Sequence, residues 1–302
     1  MIHVTQGHER GVGLEIFLKS FICLKKSHQQ HFTLYCNKST LEECLTLSNL
    51  PFQIDRDHVV ILSNKLKVNF VGALLSQTTD SLNTALERME NNDILLTLPS
   101  SKDQIVCNNR VYRGYTDYLR HMFPEQAVIM SFVAPHFNVA LLTDHIALKD
   151  IESNLTPSNF KQRVQASIDH FLKIKQIEEV FIAGLNPHCG EDGIISGYDS
   201  KLQDVVIEIE QAYPGLKIRG LIPGDTILFN AQKDTTLFIF PFHDQALAPF
   251  KRLNGLTGIN LTLGLPFRRV SVDHGTAFDL YGKNKASYQG MIYLLEEVIS
   301  WK

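Results

Sequence analysis

The sequence predicts a layered α/β fold with much parallel sheet, on three observations. Short apolar runs rich in β-branched and aromatic residues recur along the chain, as buried parallel strands do. Longer amphipathic segments alternate with them, the order of βαβ units. The length of 302 residues, at roughly 150 per domain, suggests two domains or one large domain with two lobes.

Taken in order, the strand candidates are IHVT at 2–5, FTLYC at 32–36, HVVIL at 58–62 and ILLTL at 94–98. AVIMSFV at 127–133, VFIAG at 180–184, KIRGLI at 217–222, TLFIF at 236–240 and INLTLG at 259–264 follow, each bounded by polar or turn-forming residues. RVSV at 269–272 reads as a further strand. A helix over about 39–48 is opened by Ser39 with Glu42 as a capping box. Another covers about 80–90. A third, about 158–175, starts after Thr156-Pro157, where proline suits the first helical position. A fourth, about 199–212, is opened by Asp199 or Ser200 and stopped by Tyr213-Pro214-Gly215. The last spans about 289–300. No internal repeat or low-complexity tract interrupts this order.

Composition narrows the function classes. Hydrophobic residues make up 44% and charged residues 20%, which excludes a mostly disordered chain. A net charge of −3 leaves no global basic field, so nucleic acid is not expected as a partner. No apolar run of about 18 residues exists, so no membrane span is expected. The opening MIHVTQGHERG lacks a basic region followed by an apolar stretch, so no secretory signal is read. Five cysteines, with no CxxC, fit a reducing compartment, and the expectation is a cytoplasmic protein.

Three of the twelve histidines stand out: His145 in TDHIALKD, His188 in GLNPHCGEDG and His243 in FPFHDQALAPFK. Each adjoins a predicted strand, where α/β folds collect active-site groups. Three protein ligands with one open position make a catalytic metal site, and imidazole suits zinc and its first-row neighbours. The alternative is three separate histidines satisfied by backbone. Asp244 beside His243 is of the kind that orients a metal-bound imidazole.

The dinucleotide fingerprint GxGxxG is absent, since Gly11-Val12-Gly13 is followed by Ile16 where the third glycine is needed. The loop at 184–193 holds glycines, Pro187 and Asn186 behind a strand, and could bring backbone N–H groups close to a ligand. The loop at 272–283 places Asp273, His274, Thr276 and Asp279 near Gly275 and Gly282. Lys251, Asn260 and Arg269 flank a buried-looking strand. The two cations could hold phosphate or carboxylate oxygens, or be ordinary surface cations.

TLPSSK, GYTDYL, DHIALKDI, AGLNPHCGEDG, GLIPGDT, FHDQALAPFK and GINLTLGLPFRRVSVDHGTAFDLYGK occur in that order over 97–283. Together they closely resemble the 4-hydroxythreonine-4-phosphate dehydrogenase family, PdxA of pyridoxal phosphate (vitamin B6) biosynthesis. TQGHERGVGLEI resembles that family's opening TPGDPAGIGPEI, so the resemblance covers nearly the whole chain. It departs at Tyr115, where GYTD stands for the family's GHTE, at His8-Glu9-Arg10, at Ala246 and at Pro223-Gly224.

The resemblance implies a two-lobed fold like the isocitrate and isopropylmalate dehydrogenases, in a homodimer with shared active sites. The implied lobes are 1–118 with 245–302, carrying the cofactor loop, and 119–244, carrying the metal ligands and the dimer interface. It implies NAD or NADP bound without GxGxxG, by Asn186, Gly190, Asp273, His274, Gly275, Thr276 and Asp279. The family's metal ligands fall on His145, His188 and His243, for zinc, with magnesium or cobalt as alternatives. Its catalytic aspartates match Asp225 and Asp244, and its substrate contacts match Tyr115, Thr116, Lys251, Asn260 and Arg269.

The implied reaction is oxidation of 4-phosphooxy-L-threonine with decarboxylation to 3-amino-2-oxopropyl phosphate. The alternative is a paralogous dehydrogenase of a four-carbon sugar-acid phosphate, threonate or erythronate 4-phosphate.

Overall fold

The computed structural model describes residues 1–108, 110–230 and 232–301. Its strands, in chain order, are β1 (Ile2–Thr5), β2 (Phe32–Cys36), β3 (Phe52–Ile54), β4 (His58–Ile61), β5 (Asn64–Phe70), β6 (Ile94–Thr97), β7 (Val106–Cys107) and β8 (Arg110–Val111). They continue as β9 (Ile129–Val133), β10 (Asn138–Leu141), β11 (Glu179–Ala183), β12 (Lys217–Ile222), β13 (Thr236–Phe240), β14 (Ile259–Leu263) and β15 (Arg268–Val272). The helices are α1 (Gly13–Cys23), α2 (Lys26–Gln29), α3 (Lys38–Leu47), α4 (Gln77–Leu86), α5 (Tyr115–Met122), α6 (Ile151–Asn154), α7 (Pro157–Leu172), α8 (Tyr198–Ala212), α9 (His243–Asn254) and α10 (Gln289–Ser300).

The chain divides into two compact units. One holds Met1–Gln126 with Leu265–Lys302, and the other holds Ala127–Gly264. Both crossings thus fall later than the resemblance implies. A boundary at 244/245 would cut α9 after its second residue, although Ala246, Leu247 and Phe250 of that helix belong to the core of the second unit. A boundary at 118/119 would cut α5.

In the first unit the strand order is β15-β6-β1-β2-β5-β4-β3. The pairs from β15 to β5 are parallel, and β5-β4-β3 is an antiparallel edge. Strands β1, β2 and β6 are buried throughout, the continuous apolar reading of a sheet covered on both faces. In the second unit the order is β12-β11-β13-β10-β9-β14. Strands β12, β11, β13 and β10 run parallel, while β9 is antiparallel to both β10 and β14. Its core is aromatic. Phe238 stacks on Phe181 at 5.3 Å between ring centroids and meets Phe137 edge-on at 5.2 Å.

Local details depart from the sequence reading. The cap of α3 is Asn37, whose side chain accepts from the Ser39 and Thr40 N–H groups at 3.0 and 3.4 Å; Ser39 already lies inside the helix. Helix α8 starts one residue before Asp199, with Gly197 at its cap, and the Asp199 carboxylate turns away to a loop. Thr156 caps α7 as expected, accepting from the Asn159 N–H at 3.4 Å.

Candidate functional site

Three adjacent parallel strands of the second unit, β11, β13 and β10, each release a candidate histidine just past their C-terminal ends. Parallel pairing continues beyond β10 and β13: the Leu142 N–H donates to Phe240 O (2.9 Å) and the Thr143 N–H to Pro241 O (3.0 Å). The Thr143 hydroxyl donates to the same Pro241 carbonyl at 2.6 Å. This register delivers His145 and His243 side by side, with ring centroids 5.4 Å apart. His145 adopts a left-handed φ of 50° and His243 opens α9.

Each imidazole is oriented by the carboxylate of a chain neighbour. His145 Nδ1 meets Asp144 Oδ1 at 3.0 Å, and His243 Nδ1 meets Asp244 Oδ1 at 2.7 Å. An ionised carboxylate only accepts, so Nδ1 of each ring carries a proton, and in the neutral ring the lone pair that a metal takes is then on Nε2. These residues line a cleft of about 340 Å³ with Thr143, Ile146, Ala147, Leu148 and Phe242. Asp144, with a side chain only 4% exposed, is a supporting residue that the sequence reading missed. Its signal was present, a carboxylate directly beside a candidate ligand, in the order Asp-His rather than His-Asp.

His188 stands apart from this pair, exposed on the loop after β11, and does not line the cleft. Among the described residues no three His, Cys, Asp or Glu side chains are grouped as a metal site. Two imidazoles held in the ligating tautomer fit part of the donor set of a first-row divalent cation; a third donor has to come from elsewhere.

The His188 loop is conformationally unusual. Residues 188–192 all have positive φ, between 49° and 82°, and only Gly190 among them lacks a Cβ. Left-handed geometry costs about 1–2 kcal/mol per non-glycine residue, so surrounding contacts must hold it. A Cβ on Gly190 would lie 2.1 Å from Ser196 O, and the Gly190 carbonyl accepts from Ile195 and Ser196 N–H. Gly190 therefore closes the loop on itself. Asn186 is also engaged locally, donating from Nδ2 to Asp199 at 2.8 Å.

Burial pushes the neighbouring Cys189 thiol up to about 11, with Asp199 and Asp225 adding to it. Asp225 is exposed on the turn after β12. Gln245, two residues past His243, donates to Gly184 O at 3.1 Å, and its amide is so close to Gly224 that a Cβ there would lie 2.3 Å from it. Gln245 thus ties α9 to the bases of both neighbouring loops, a second role absent from the sequence reading. Lys251 is exposed on α9, and Asn260 is half-buried on β14.

In the first unit, Arg269 and Tyr115 come together. Arg269 is only 4% exposed and donates from Nε (3.0 Å) and Nη2 (2.6 Å) to Thr97 Oγ1. Its guanidinium carbon lies 5.2 Å from the Tyr115 ring centroid, a cation–π contact. Burial lowers the Arg269 pKa to about 10, so it remains cationic at neutral pH. The Tyr115 hydroxyl donates to Leu98 O at 2.9 Å, and burial pushes its pKa well above the ordinary phenol value. Thr116 is half-buried beside it on α5.

The 273–279 loop leaves β15 in the same unit. His274 Nδ1 lies 3.0 Å from Gly275 O, and Thr276 O accepts from the Val12 N–H at 3.0 Å. Phe278 meets His8 edge-on at 4.7 Å. The diverged opening motif and the candidate cofactor loop therefore form one surface. Asp273 is half-buried, and Asp279 and Gly275 are exposed.

Known proteins are similar to this chain in sequence and in fold. A 4-hydroxythreonine-4-phosphate dehydrogenase of Sulfurihydrogenibium sp. is 30% identical, over 99% of this chain and 97% of its own length. A D-threonate 4-phosphate dehydrogenase of Cupriavidus necator is 31% identical, over 70% of this chain and 65% of its own. The crystal structure of the 4-hydroxythreonine-4-phosphate dehydrogenase from Klebsiella pneumoniae superposes with a TM-score of 0.78 at 25% identity, covering 99% of this chain and 98% of that one. A β-decarboxylating dehydrogenase from Thermococcus kodakarensis shares the fold at a TM-score of 0.50 and 13% identity, over 98% of this chain and 83% of that one. The family model described as pyridoxal phosphate biosynthetic protein PdxA matches residues 33–296, and the chain belongs to that family.

Proposed function

We propose that this protein is a nicotinamide-dependent, metal-assisted dehydrogenase of 4-phosphooxy-L-threonine. It oxidises the secondary alcohol, and the resulting β-keto acid loses CO₂ to give 3-amino-2-oxopropyl phosphate, a step toward pyridoxal 5′-phosphate. The observation that carries the reading is the carboxylate-oriented pair His145 and His243 at the C-terminal ends of neighbouring parallel strands.

In this reading His145 and His243 would ligate a divalent cation, zinc in preference to magnesium or cobalt. His188 of the partner subunit in a homodimer supplies the third imidazole. Exposed apolar side chains of the second unit support such an interface: Leu148 is 69%, Ile194 82% and Phe229 87% exposed. When bound, the cation polarises the substrate oxygen and lowers the pKa of the alcohol. The 273–279 loop would hold NAD or NADP, whose nicotinamide would supply the hydride acceptor. Asp144 and Asp244 fix the imidazole tautomers, and Asp225 maintains the rim of the site. Arg269 and Lys251, with Thr116 and Asn260, bind and orient the anionic substrate. Five free cysteines support a reducing, cytoplasmic setting.

One observation favours a second reading. Tyr115 spends its hydroxyl on Leu98 O, so this position offers neither a cation nor a donor to phosphate. A four-carbon sugar-acid phosphate, threonate or erythronate 4-phosphate, is therefore the alternative substrate. Following nicotinamide reduction with each compound separates the two. Turnover of phosphooxythreonine supports the first reading, and turnover of a sugar-acid phosphate alone replaces it.

A further inference from the structure

We propose that Asp199 is the positioning residue that presents His188, by clamping the base of its loop. The inference rests on the reading of His188 as a metal ligand.

Asp199 lies in the first turn of α8 and is 1% exposed. Its Oδ1 accepts the Leu185 N–H at 2.7 Å. The Asn186 N–H is shared between Oδ1 and Oδ2 at 3.4 and 3.3 Å, and Asn186 Nδ2 donates to Oδ2 at 2.8 Å. One carboxylate thus gathers three donors from the two residues where β11 becomes loop. Asn186 is held from its other side as well, because its carbonyl accepts the Cys189 N–H at 3.0 Å. Pro187 and His188 are the two residues between those fixed points. Pro187 has a ring-locked φ, so few torsions remain by which His188 can move.

The packing around the clamp is close. A Cβ on Gly184 would lie 2.6 Å from Cys189 Sγ and 3.1 Å from Asp199 Oδ1, so strand end, loop and carboxylate share one small space. The left-handed run begins at His188 itself, with φ 51°. Such a run persists only where its surroundings over-determine it. Asp199 is the charged group that does so at the base, through charge-assisted bonds that a neutral isostere cannot reproduce. Asparagine has the same shape, but one of its two arms would point N–H groups at the Asn186 donors.

Asp199→Asn in the full-length protein is the test, read as Co²⁺ affinity by titration and as amide hydrogen exchange of the metal-free protein. Outer supports of metal ligands are worth about 10–100-fold in metal affinity. Co²⁺ should bind at least about tenfold more weakly, kcat should recover at saturating Co²⁺, and the Leu185, Asn186 and Cys189 amides should exchange faster. Asn186→Ala removes one clamp contact and leaves the carboxylate, so it should give a smaller loss; it serves if Asp199→Asn fails to fold. Unchanged Co²⁺ affinity in folded variants overturns the proposal, as does unchanged exchange at Leu185 and Asn186. Equal Co²⁺ affinity in wild type and His188→Ala overturns the ligand reading, and with it the purpose of the clamp. The exchange measurement decides separately whether the clamp exists.

Discussion

Replacing Thr97 with valine isolates the anchoring of the buried guanidinium in the first unit. Valine keeps the shape of threonine and removes only the hydroxyl. That oxygen accepts Arg269 Nε at 3.0 Å and Nη2 at 2.6 Å, while Thr97 is fully buried and Arg269 nearly so. Water cannot replace the lost acceptor without opening the site. A hydrogen bond to a charged group contributes about 1.5–3 kcal/mol, and two that share one acceptor do not add fully, so the loss should be about 3 kcal/mol. For a unit of this size that corresponds to roughly 6–12 °C in Tm. In a thermal or urea unfolding series, Thr97→Val should lower stability by that amount. On the proposed reading of Arg269 as an anion-binding residue, it should also raise KM more than it lowers kcat. Combining it with Arg269→Met should cost less than the sum of the single changes, because both changes remove the same two hydrogen bonds. A Thr97→Val loss below about 0.5 kcal/mol, or simple additivity in the double variant, refutes the anchoring argument.

Two further predictions concern the loop and the thiols. Gly190→Ala puts a Cβ 2.1 Å from Ser196 O at a φ of 82°, and should cost at least about 2 kcal/mol in thermal unfolding while weakening Co²⁺ binding; stability equal to wild type contradicts the loop geometry. Burial raises the Cys44 thiol from 9.0 to about 12, with a smaller opposing effect from the Ser48 hydrogen bond, and burial raises Cys36 as well. The folded protein therefore keeps thiol protons that the unfolded chain releases above pH 9.0, so this contribution is full below pH 9.0 and falls away as pH climbs toward 12. Iodoacetamide at mildly alkaline pH should label the exposed Cys23 and spare Cys36 and Cys44 until the chain unfolds; fast labelling of either in the folded protein counts against their burial.

How much of this was legible in the sequence depends on what each segment had to bury. Strands β1, β2, β6, β11 and β13 are covered on both faces, so they read directly as apolar runs. Helix α1 was not read because eight of its eleven residues are buried, which blurs the amphipathic stripe, and its cap residue Val12 gives no side-chain signal. Helix α9 was not read because Pro249 sits inside it, normally a reason to end a helix. His243 was found by its position after the 236–240 run, whereas β10, the strand that delivers His145, was not among the strands read. Their meeting follows from the order β11-β13-β10, a long-range fact that spacing along the chain does not contain. Asp199 was read as a helix opener, a local role typical of its residue type. Its observed partners lie 13 and 14 residues earlier in the chain and become visible only once the loop is folded back.

The proposed shared metal site is tested most directly by mixing two variants. On that reading His188→Ala and His243→Ala should each destroy every site of their own homodimer. In a mixed dimer His145 and His243 of one protomer would meet His188 of the other, leaving one of its two sites intact. Random reassortment makes about half the dimers mixed, and co-refolded protein should regain about a quarter of wild-type nicotinamide reduction and of bound metal. If all three histidines served a site within a single chain, every site in the mixture would lack a ligand; no recovery, in dimers shown to have exchanged subunits, would contradict the account.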